Sequence, residues 1–231
     1  MKLNEIIKKI PCELISGSSQ IEIKGISEDS RRICPGWVFV ARKGLETNGH
    51  LFIEDAIKRG AEAVILSNKN YQFSGNATVV SMEMSQENLG LLAKNFYGTP
   101  KCRIVGITGT NGKTTTCYLA RHFLEKSGIS TGIIGTIAYE FDGRSIPAKR
   151  TTPDIFELNK IIKQMSDSGA EVVIMEVSSH ALSQSRIGNL LYDTAVFTNL
   201  SRDHLDYHKT MEEYFDAKKK IFNKLKKYES G

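Results

Sequence analysis

A glycine-rich segment, GITGTNGKTTT, spans residues 106–116 and separates an apolar run from a stretch of helical composition. The apolar run at 103–108 predicts a strand, and residues 114–126 predict a helix. A strand, a tight glycine turn and a helix in this order are typical of a parallel α/β sheet that binds an anion at the helix N-terminus. A glycine-rich turn that only connects two core elements is the alternative interpretation.

The residue types in this segment suit a nucleotide phosphate. Gly109 and Gly112 allow backbone N–H groups to turn toward an anion, and Lys113 can neutralise the β and γ phosphates. Either of the two threonines that follow can reach a magnesium ion with its hydroxyl. The common spacing of the motif, G-x-x-x-x-G-K-[ST], requires a glycine where this chain has Ile107, and the upstream glycine is instead Gly106. The prediction of a phosphate loop therefore depends on the strand and helix around it.

Composition narrows the class of protein. The 231 residues are 40% hydrophobic, which is enough for one large domain or two ordinary ones. We find neither an apolar run of bilayer length nor a signal peptide, so we expect a cytoplasmic chain without membrane insertion. The formal charge of +5 suits anionic ligands. Most of that excess comes from lysines near the C-terminus, and no nucleic-acid motif accompanies them, so no nucleic-acid partner is expected.

Tyr97 to Pro100 is the clearest boundary, because it ends one predicted helix and precedes the phosphate-loop strand. The fold class is α/β, with a small N-terminal α/β domain over 1–99 and a phosphate-loop domain with a mostly parallel sheet over 100–231. The apolar runs and helical stretches that predict the N-terminal elements lie at 21–26, 37–41, 52–59, 63–66, 77–80 and 86–97. Those of the second domain lie at 103–108, 114–126, 131–134, 153–167, 171–175, 194–198 and 211–222, with a hairpin at 142–143.

Polar residues follow several predicted strands, at the edge where a parallel sheet binds its ligands. Thr151 and Thr152 precede a helix together with an aspartate, and they either cap it or hold a polar ligand. Glu176 ends an apolar strand and is a hard oxygen ligand suited to magnesium. His204 follows the next strand and can ligate a metal or bind phosphate, although a lone loop histidine is often only a surface residue.

Lys218 lies on the last predicted helix, where lysine side chains are normally solvated. Two lysines follow it directly, and like charges so close favour a lowered pKa for the Lys218 amine. A neutral amine can react with carbon dioxide. Spacing alone gives Lys218 no special role.

Taken together, these segments resemble the Mur ligase family, and within it the UDP-N-acetylmuramoyl-tripeptide synthetases. The Thr-Asn-Gly-Lys-Thr core also occurs in the related folylpolyglutamate synthases, whereas the segments at 176–182 and 203–208 are more specific. The segments that resemble the family are DSR at 29–31, PG at 35–36, FVA at 39–41, NGH at 48–50, AIKRGA at 56–61, GTNGKT at 109–114, TTP at 151–153, EVSSHAL at 176–182 and NLSRDHLDYH at 199–208.

The resemblance implies an ATP-dependent ligase that adds lysine or meso-diaminopimelate to UDP-N-acetylmuramoyl-L-alanyl-D-glutamate through an acyl phosphate. Lys113 would bind the β and γ phosphates, and Thr114 and Glu176 would hold one Mg²⁺. His204 and a carbamylated Lys218 would hold a second Mg²⁺. The ATP-binding loop implied by the resemblance comprises Gly109, Thr110, Asn111, Gly112, Lys113, Thr114 and Thr115.

The resemblance also implies where the two substrates bind. The first domain would bind UDP, and the second would contact the muramoyl-peptide. Arg186 suits that task because a guanidinium pairs bidentately with a carboxylate. The substrate-binding residues implied are Ser27, Ser30, Asn48, His50, Thr151, Thr152, Ser178, Gln184 and Arg186.

Family members have a third domain that binds the incoming amino acid, and their central domain extends beyond the position of Lys218. We therefore expect this chain to match roughly the first half of a ligase, to be inactive alone, and to be monomeric in its full-length form. One alternative is a non-catalytic module that binds UDP-muramoyl-peptide or nucleotide. Another is a phosphate-loop NTPase that acts as a switch, which the segments at 176–180 and 203–204 disfavour.

Overall fold

The computed structural model describes residues 1–44, 47–68, 71, 75–184 and 186–227. The chain divides into two compact units, Met1–Gly98 and Thr99–Gly231. The division falls at Gly98, which ends a helix with a φ of 85° and donates its N–H to the Lys94 carbonyl. Glycine is favoured here because a residue with a Cβ rarely adopts positive φ.

The described part of the first unit contains one five-stranded sheet in the order β1-β5-β4-β3-β2. Strands β2 to β5 are parallel, and β1 pairs antiparallel with β5 at one edge. The strands are β1 (Cys12–Ser16), β2 (Gly25–Ser27), β3 (Trp37–Ala41), β4 (Ala61–Leu66) and β5 (Thr78–Met82). The helices are α1 (Leu3–Ile6), α2 (Ile53–Lys58) and α3 (Gln86–Tyr97), with 3-10 turns at Ser30–Arg32 and Gly49–Phe52.

Two elements of the first unit differ from the sequence prediction. The strand predicted over 21–26 forms only at its end, as β2, although Ile23 is still buried. Strand β1 was not predicted, and all five of its residues are exposed. An exposed edge strand has no alternating apolar pattern, so the period-2 signal that identifies most strands is missing.

In the second unit the described strands form a six-stranded sheet in the order β11-β6-β10-β7-β8-β9. The first four are mutually parallel, and β8 and β9 extend the sheet as an antiparallel hairpin. The strands are β6 (Arg103–Thr108), β7 (Thr131–Ile134), β8 (Ala138–Phe141), β9 (Arg144–Pro147), β10 (Val172–Glu176) and β11 (Thr194–Phe197). The helices are α4 (Lys113–Lys126), α5 (Ile155–Asp167), α6 (Ser179–Ser183), α7 (Leu205–His208) and α8 (Met211–Lys219), followed by a 3-10 turn at Phe222–Lys224.

Strand β10 shows how this sheet is buried on both faces. Val172 and Ile174 pack in a cluster with Cys117 of α4, whereas Val173 and Met175 pack in a second cluster with Leu158 of α5. Successive side chains of a strand point to opposite faces, so a strand covered by helices on both sides is apolar throughout. The parallel register then aligns the strand ends, because Glu176 lies opposite Ile107 and Thr108 lies opposite Phe197.

The loops that follow β6, β7, β10 and β11 therefore emerge at one edge of the sheet. None of the helices in the described ranges combines the length and the apolar character that crossing a bilayer requires.

Candidate active site

The glycine-rich loop connects β6 to α4 and is fixed against the loop after β11. Gly112 is the N-cap of α4 with a φ of 80°, and Gly109 has a φ of 144°. A Cβ at Gly109 would collide with the Thr198 hydroxyl. The Thr110 N–H donates to the Asn199 carbonyl at 3.0 Å. Close approach to this neighbouring loop explains why glycine occurs at 109, while position 107 lies within β6 as a buried isoleucine.

Lys113 is the first residue of α4, and its side chain extends back toward the loop that precedes the helix. Its ammonium donates to the Gly109 carbonyl at 2.9 Å and to the Thr110 carbonyl at 2.8 Å. Burial lowers the pKa of Lys113, while the nearby Glu176 opposes that shift. The loop therefore has a positive charge at the start of a helix, where the helix dipole also favours an anion.

Lys218 of α8 donates to the same carbonyl. Its side chain is almost completely buried, and its ammonium donates to the Gly109 carbonyl at 2.7 Å. The ammonium also lies 4.5 Å from the centre of the Tyr214 ring. A fully buried lysine is unusual because desolvation of a charge is costly.

The pKa of Lys218 is lowered to about 8, but the cause differs from the sequence prediction. Burial contributes most, and the second contribution comes from Lys113. The adjacent lysines are not the cause, because Lys219 and Lys220 are exposed and Lys219 pairs with Asp216 at 3.3 Å. Sequence neighbours on a helix point in different directions, so their charges remain in solvent while Lys218 points into the protein.

Replacing Lys218 by methionine should stabilise the chain more at pH 7 than at pH 10. The folded-state pKa of about 8 lies below the ordinary 10.5, so the cost of the buried charge is fully present below pH 8 and declines as pH rises toward 10.5. We expect the difference in unfolding free energy between variant and parent to shrink by about 2–3 kcal/mol between these pH values. Urea titrations in buffer free of carbon dioxide measure it, with Lys219→Met as the exposed control. A difference independent of pH would contradict the assignment.

Glu176 ends β10 as a buried carboxylate surrounded by donors. The Thr114 hydroxyl lies 3.0 Å from both of its oxygens. The Thr136 N–H donates to Oε1 at 2.9 Å, and the Thr136 hydroxyl donates to Oε2 at 3.1 Å. The Thr152 hydroxyl, buried beneath, donates to the Glu176 carbonyl at 3.0 Å.

The donor set at Glu176 and Thr114 fits magnesium. Both offer hard oxygen atoms at the phosphate loop, and Mg²⁺ in proteins typically takes one or two such ligands together with water and substrate phosphates. Among the described residues, no three His, Cys, Asp or Glu side chains form a group that could hold a metal ion by themselves. The residues thus fit an ion that a nucleotide would bring, not an all-protein metal cage.

His204 precedes α7 in a left-handed backbone conformation, with a φ of 53°. Its ring lies edge-on to His180 at 5.0 Å and to Tyr214 at 6.0 Å between ring centres. The Tyr214 hydroxyl is 3.2 Å from the Thr110 hydroxyl. An aromatic cluster therefore connects His204 and the phosphate loop.

The phosphate loop opens into a cavity of about 340 Å³. Eleven of its lining residues were predicted from the sequence or from the resemblance: Thr110, Asn111, Gly112, Lys113, Thr114, Thr115, Thr151, Glu176, Ser178, His204 and Lys218. Of the two others, Thr136 was missed, whereas Ser179 lies in the segment at 176–182 that carries the resemblance but was given no role. Thr136 comes two residues after β7, so its position at a parallel strand end was the available signal.

Other predicted residues of the second unit lie behind or beside this cavity. Thr152 is buried and bonds the Ser178 N–H at 3.1 Å. Gln184 lies 3.4 Å from the Tyr207 hydroxyl and is also in close contact with Arg186. Asp154 caps α5 by accepting from the Glu157 N–H at 2.9 Å.

The predicted residues of the first unit have local hydrogen bonds. The Ser27 hydroxyl accepts from the Asp29 N–H at 3.0 Å, and buried Ser30 begins a 3-10 turn. Asn48 accepts from the His50 N–H at 3.2 Å and lies 2.9 Å from the His50 Nδ1. Burial lowers the pKa of His50. These contacts order the turns after β2 and β3.

Comparison with known proteins gives matches along nearly the whole chain. Residues 107–230 match the Mur ligase middle domain, and residues 22–97 match the model described as Mur ligase family, catalytic domain. The UDP-N-acetylmuramoyl-L-alanyl-D-glutamate--2,6-diaminopimelate ligase of Phocaeicola vulgatus is 46% identical over 229 residues, which are 98% of this chain and 47% of that protein. The ligase of the same name from Clostridium perfringens is 41% identical, over 97% of this chain and 46% of its own length.

Solved structures agree with these matches. A structure of a UDP-N-acetylmuramoyl-L-alanyl-D-glutamate--2,6-diaminopimelate ligase superposes with a TM-score of 0.80 at 30% identity, covering 98% of this chain and 46% of that one. The MurF ligase from Thermotoga maritima in complex with ADP gives a TM-score of 0.57 at 25% identity, over 89% of this chain and 44% of that one. The chain thus spans about half the length of the curated relatives it matches. With its phosphate loop, its parallel sheet and matches over both units, the chain belongs to the Mur ligase family.

Proposed function

We propose that this chain supplies the phosphate-loop half of an ATP-dependent amide ligase that adds a diamino acid to UDP-N-acetylmuramoyl-L-alanyl-D-glutamate during peptidoglycan precursor synthesis. The observation that best supports this is the cavity that Lys113, Glu176 and Lys218 line together with residues of the phosphate loop. The names of the relatives favour diaminopimelate over lysine as the added residue.

The nucleotide would bind with its phosphates on the loop, from Gly109 to Thr115. Lys113 would leave its two carbonyl partners and pair with the β and γ phosphates, which are stronger acceptors because they are charged. Thr114 and Glu176 would hold Mg²⁺, which neutralises phosphate charge when bound. The γ-phosphoryl group would pass from ATP to a substrate carboxylate, with ADP as the leaving group. The incoming amine would then attack the acyl carbon, form the amide bond, and release phosphate and a proton.

Lys218 would act as a carbamate, and together with His204, which lines the same cavity, it would hold a second Mg²⁺. Because burial lowers the pKa of Lys218 to about 8, more of its amine is neutral at pH 7 than in an ordinary solvated lysine. The neutral amine attacks carbon dioxide, forms a C–N bond and releases one proton, which leaves an anionic carbamate. This change removes a buried positive charge and supplies an oxygen ligand of the type Mg²⁺ prefers.

The acceptor substrate would be UDP-N-acetylmuramoyl-L-alanyl-D-glutamate, and the family resemblance assigns contact residues for it in each unit. Ser27, Ser30, Asn48 and His50 would contact UDP. The muramoyl-peptide would be contacted by Thr151, Thr152, Ser178, Gln184 and Arg186. The support is unequal, because Thr151 and Ser178 line the phosphate-loop cavity, whereas Gln184 and Arg186 contact each other beside it.

A chimera tests this function. In it, this chain replaces the matching 47% of the Phocaeicola vulgatus ligase. We expect the chimera, given ATP, Mg²⁺, UDP-N-acetylmuramoyl-L-alanyl-D-glutamate and diaminopimelate, to release phosphate and form the UDP-linked tripeptide, detected by mass spectrometry. The 231-residue chain and the remaining Phocaeicola vulgatus half, each assayed alone, are the controls. A folded chimera that forms no tripeptide while the unaltered Phocaeicola vulgatus enzyme does would contradict the proposal.

A further inference from the structure

We propose that Thr136 is a positioning residue that holds the Glu176 carboxylate ready for magnesium, and that Gly135 provides the space for it. This inference rests on the proposed function, since it concerns the same metal-nucleotide site. The resemblance assigns no role to either residue, and both lie directly after β7 at the sheet edge where the phosphate loop begins.

Thr136 contacts both oxygens of the carboxylate. Its backbone N–H donates to Oε1 at 2.9 Å and its hydroxyl donates to Oε2 at 3.1 Å. Glu176 is only 1% exposed, so hydrogen bonds from the protein must replace the water that a carboxylate loses on burial. Two donors from one residue fix the plane of the carboxylate as well as its location.

Thr114 is the other hydroxyl at this carboxylate, but its task would change when nucleotide binds. Its hydroxyl contacts both Glu176 oxygens at 3.0 Å. A hydroxyl that turns its oxygen toward Mg²⁺ is drawn away from that contact. Thr136 would then be the residue that keeps Glu176 oriented, because neither of its two donors is needed by the metal.

Gly135 has no side chain, and this leaves space for the Glu176 carboxylate. A Cβ at this position would lie 2.5 Å from Glu176 Oε1, which is too close for any real Cβ contact. The φ of Gly135 lies outside the left-handed region, so the backbone does not require glycine here. The space for the carboxylate is therefore the reason that a side chain is excluded.

The Thr136 hydroxyl also contacts Thr151, a residue proposed to bind the acceptor substrate. It lies 3.1 Å from the Thr151 hydroxyl and 3.1 Å from Glu176 Oε2. A hydroxyl has one proton and can donate it to only one of these two oxygen atoms at a time. When an acceptor substrate engages Thr151, the Thr136 proton is left to Glu176. Thr136 thus connects a residue proposed to bind the acceptor with one proposed to bind the metal.

Nucleotide binding by the 231-residue chain tests this role. The probe is the non-hydrolysable analogue AMP-PNP, titrated with and without Mg²⁺ into the parent, Thr136→Val, Thr136→Ser and Gly135→Ala. Valine keeps the shape and backbone N–H of threonine but removes the hydroxyl, whereas serine retains it. Thr131→Val is the matched control, because Thr131 lies at the other end of β7 and donates to the Ile129 carbonyl.

We expect Thr136→Val to reduce the Mg²⁺-dependent gain in affinity about ten-fold, because a hydrogen bond to a charged group is lost. Affinity without metal should be unchanged, Thr136→Ser should recover most of the gain, and Thr131→Val should match the parent. Gly135→Ala should reduce the gain as well, by displacing Oε1.

Three outcomes would overturn the inference. An intact Mg²⁺-dependent gain in Thr136→Val and Gly135→Ala would refute it while leaving the proposed function in place. An equal loss with and without metal would show that Thr136 only supports the fold. A parent chain with no Mg²⁺-dependent gain would overturn the inference, whereas tripeptide formation by the chimera decides the proposed function separately.

Discussion

Replacing Lys218 by alanine is expected to lower amide formation by the chimera about 100- to 1,000-fold, because the second Mg²⁺, proposed to stabilise transition-state charge, would lose one of its ligands. Added formate or acetate should restore part of the rate. Lys218 is buried beside the Gly109 carbonyl, so its removal leaves a space lined by the phosphate loop that a small carboxylate can enter. Such an anion would provide the oxygen ligand that the proposed carbamate supplies.

The rescue is measured as the initial rate of tripeptide formation against carboxylate concentration. Lys219→Ala is the matched control, because Lys219 is an exposed lysine on the same helix. It should retain the parent rate and gain nothing from formate. Full activity of Lys218→Ala without any added anion would remove Lys218 from the site.

Lys113→Ala in the chimera should reduce tripeptide formation about 1,000-fold, since it removes the cation proposed to neutralise the transferring phosphate. The parent ammonium is fixed by the Gly109 and Thr110 carbonyls and borders the cavity. Lys218, the other lysine that lines this cavity in the described part of the chain, cannot replace it, because Lys218 would be a carbamate in the active form. The reduction should appear mainly in kcat, which steady-state phosphate release measures.

Lys126→Ala provides the comparison for this prediction, because Lys126 is an exposed lysine in the last turn of the same helix. It should leave kcat unchanged. A Lys113→Ala chimera that retained the parent kcat and lost only nucleotide affinity would show that Lys113 binds the ground state and the transition state equally.

Much of the second unit could be predicted from the sequence, because its central strands β7 and β10 are buried throughout and read as short apolar runs between turns. Strand β6, the glycine loop and α4 were predicted within one residue. The same reasoning failed for β1, whose exposed residues have no apolar period.

The site was predictable only in part, for a physical reason. Glu176 stands out because a carboxylate at the end of a buried strand is conspicuous, and His204 stands out because it lies in the polar segment that follows the next apolar run. Thr136 and Tyr214 do not, because a threonine in a turn and an aromatic residue in a helix are ordinary. Their roles depend on distances across the fold, such as 3.1 Å from the Thr136 hydroxyl to Glu176, which spacing in the sequence does not encode.

The cause of the lowered pKa of Lys218 was also not predictable from the sequence. The sequence predicted a lowered pKa from Lys219 and Lys220, whereas the structure attributes it first to burial and then to Lys113. Lys113 precedes Lys218 by more than a hundred positions, so only the folded sheet brings the two ammonium groups to one carbonyl.

The central claim is that a phosphoryl group is transferred to a substrate carboxylate in the cavity lined by Lys113, Glu176 and Lys218. Its most direct measurement uses UDP-N-acetylmuramoyl-L-alanyl-D-glutamate labelled with ¹⁸O in the reacting carboxylate, incubated with the chimera, ATP, Mg²⁺ and diaminopimelate. An acyl phosphate requires one ¹⁸O atom to leave with the released phosphate, and we predict one label per tripeptide formed. Unlabelled phosphate accompanying tripeptide formation would contradict the account.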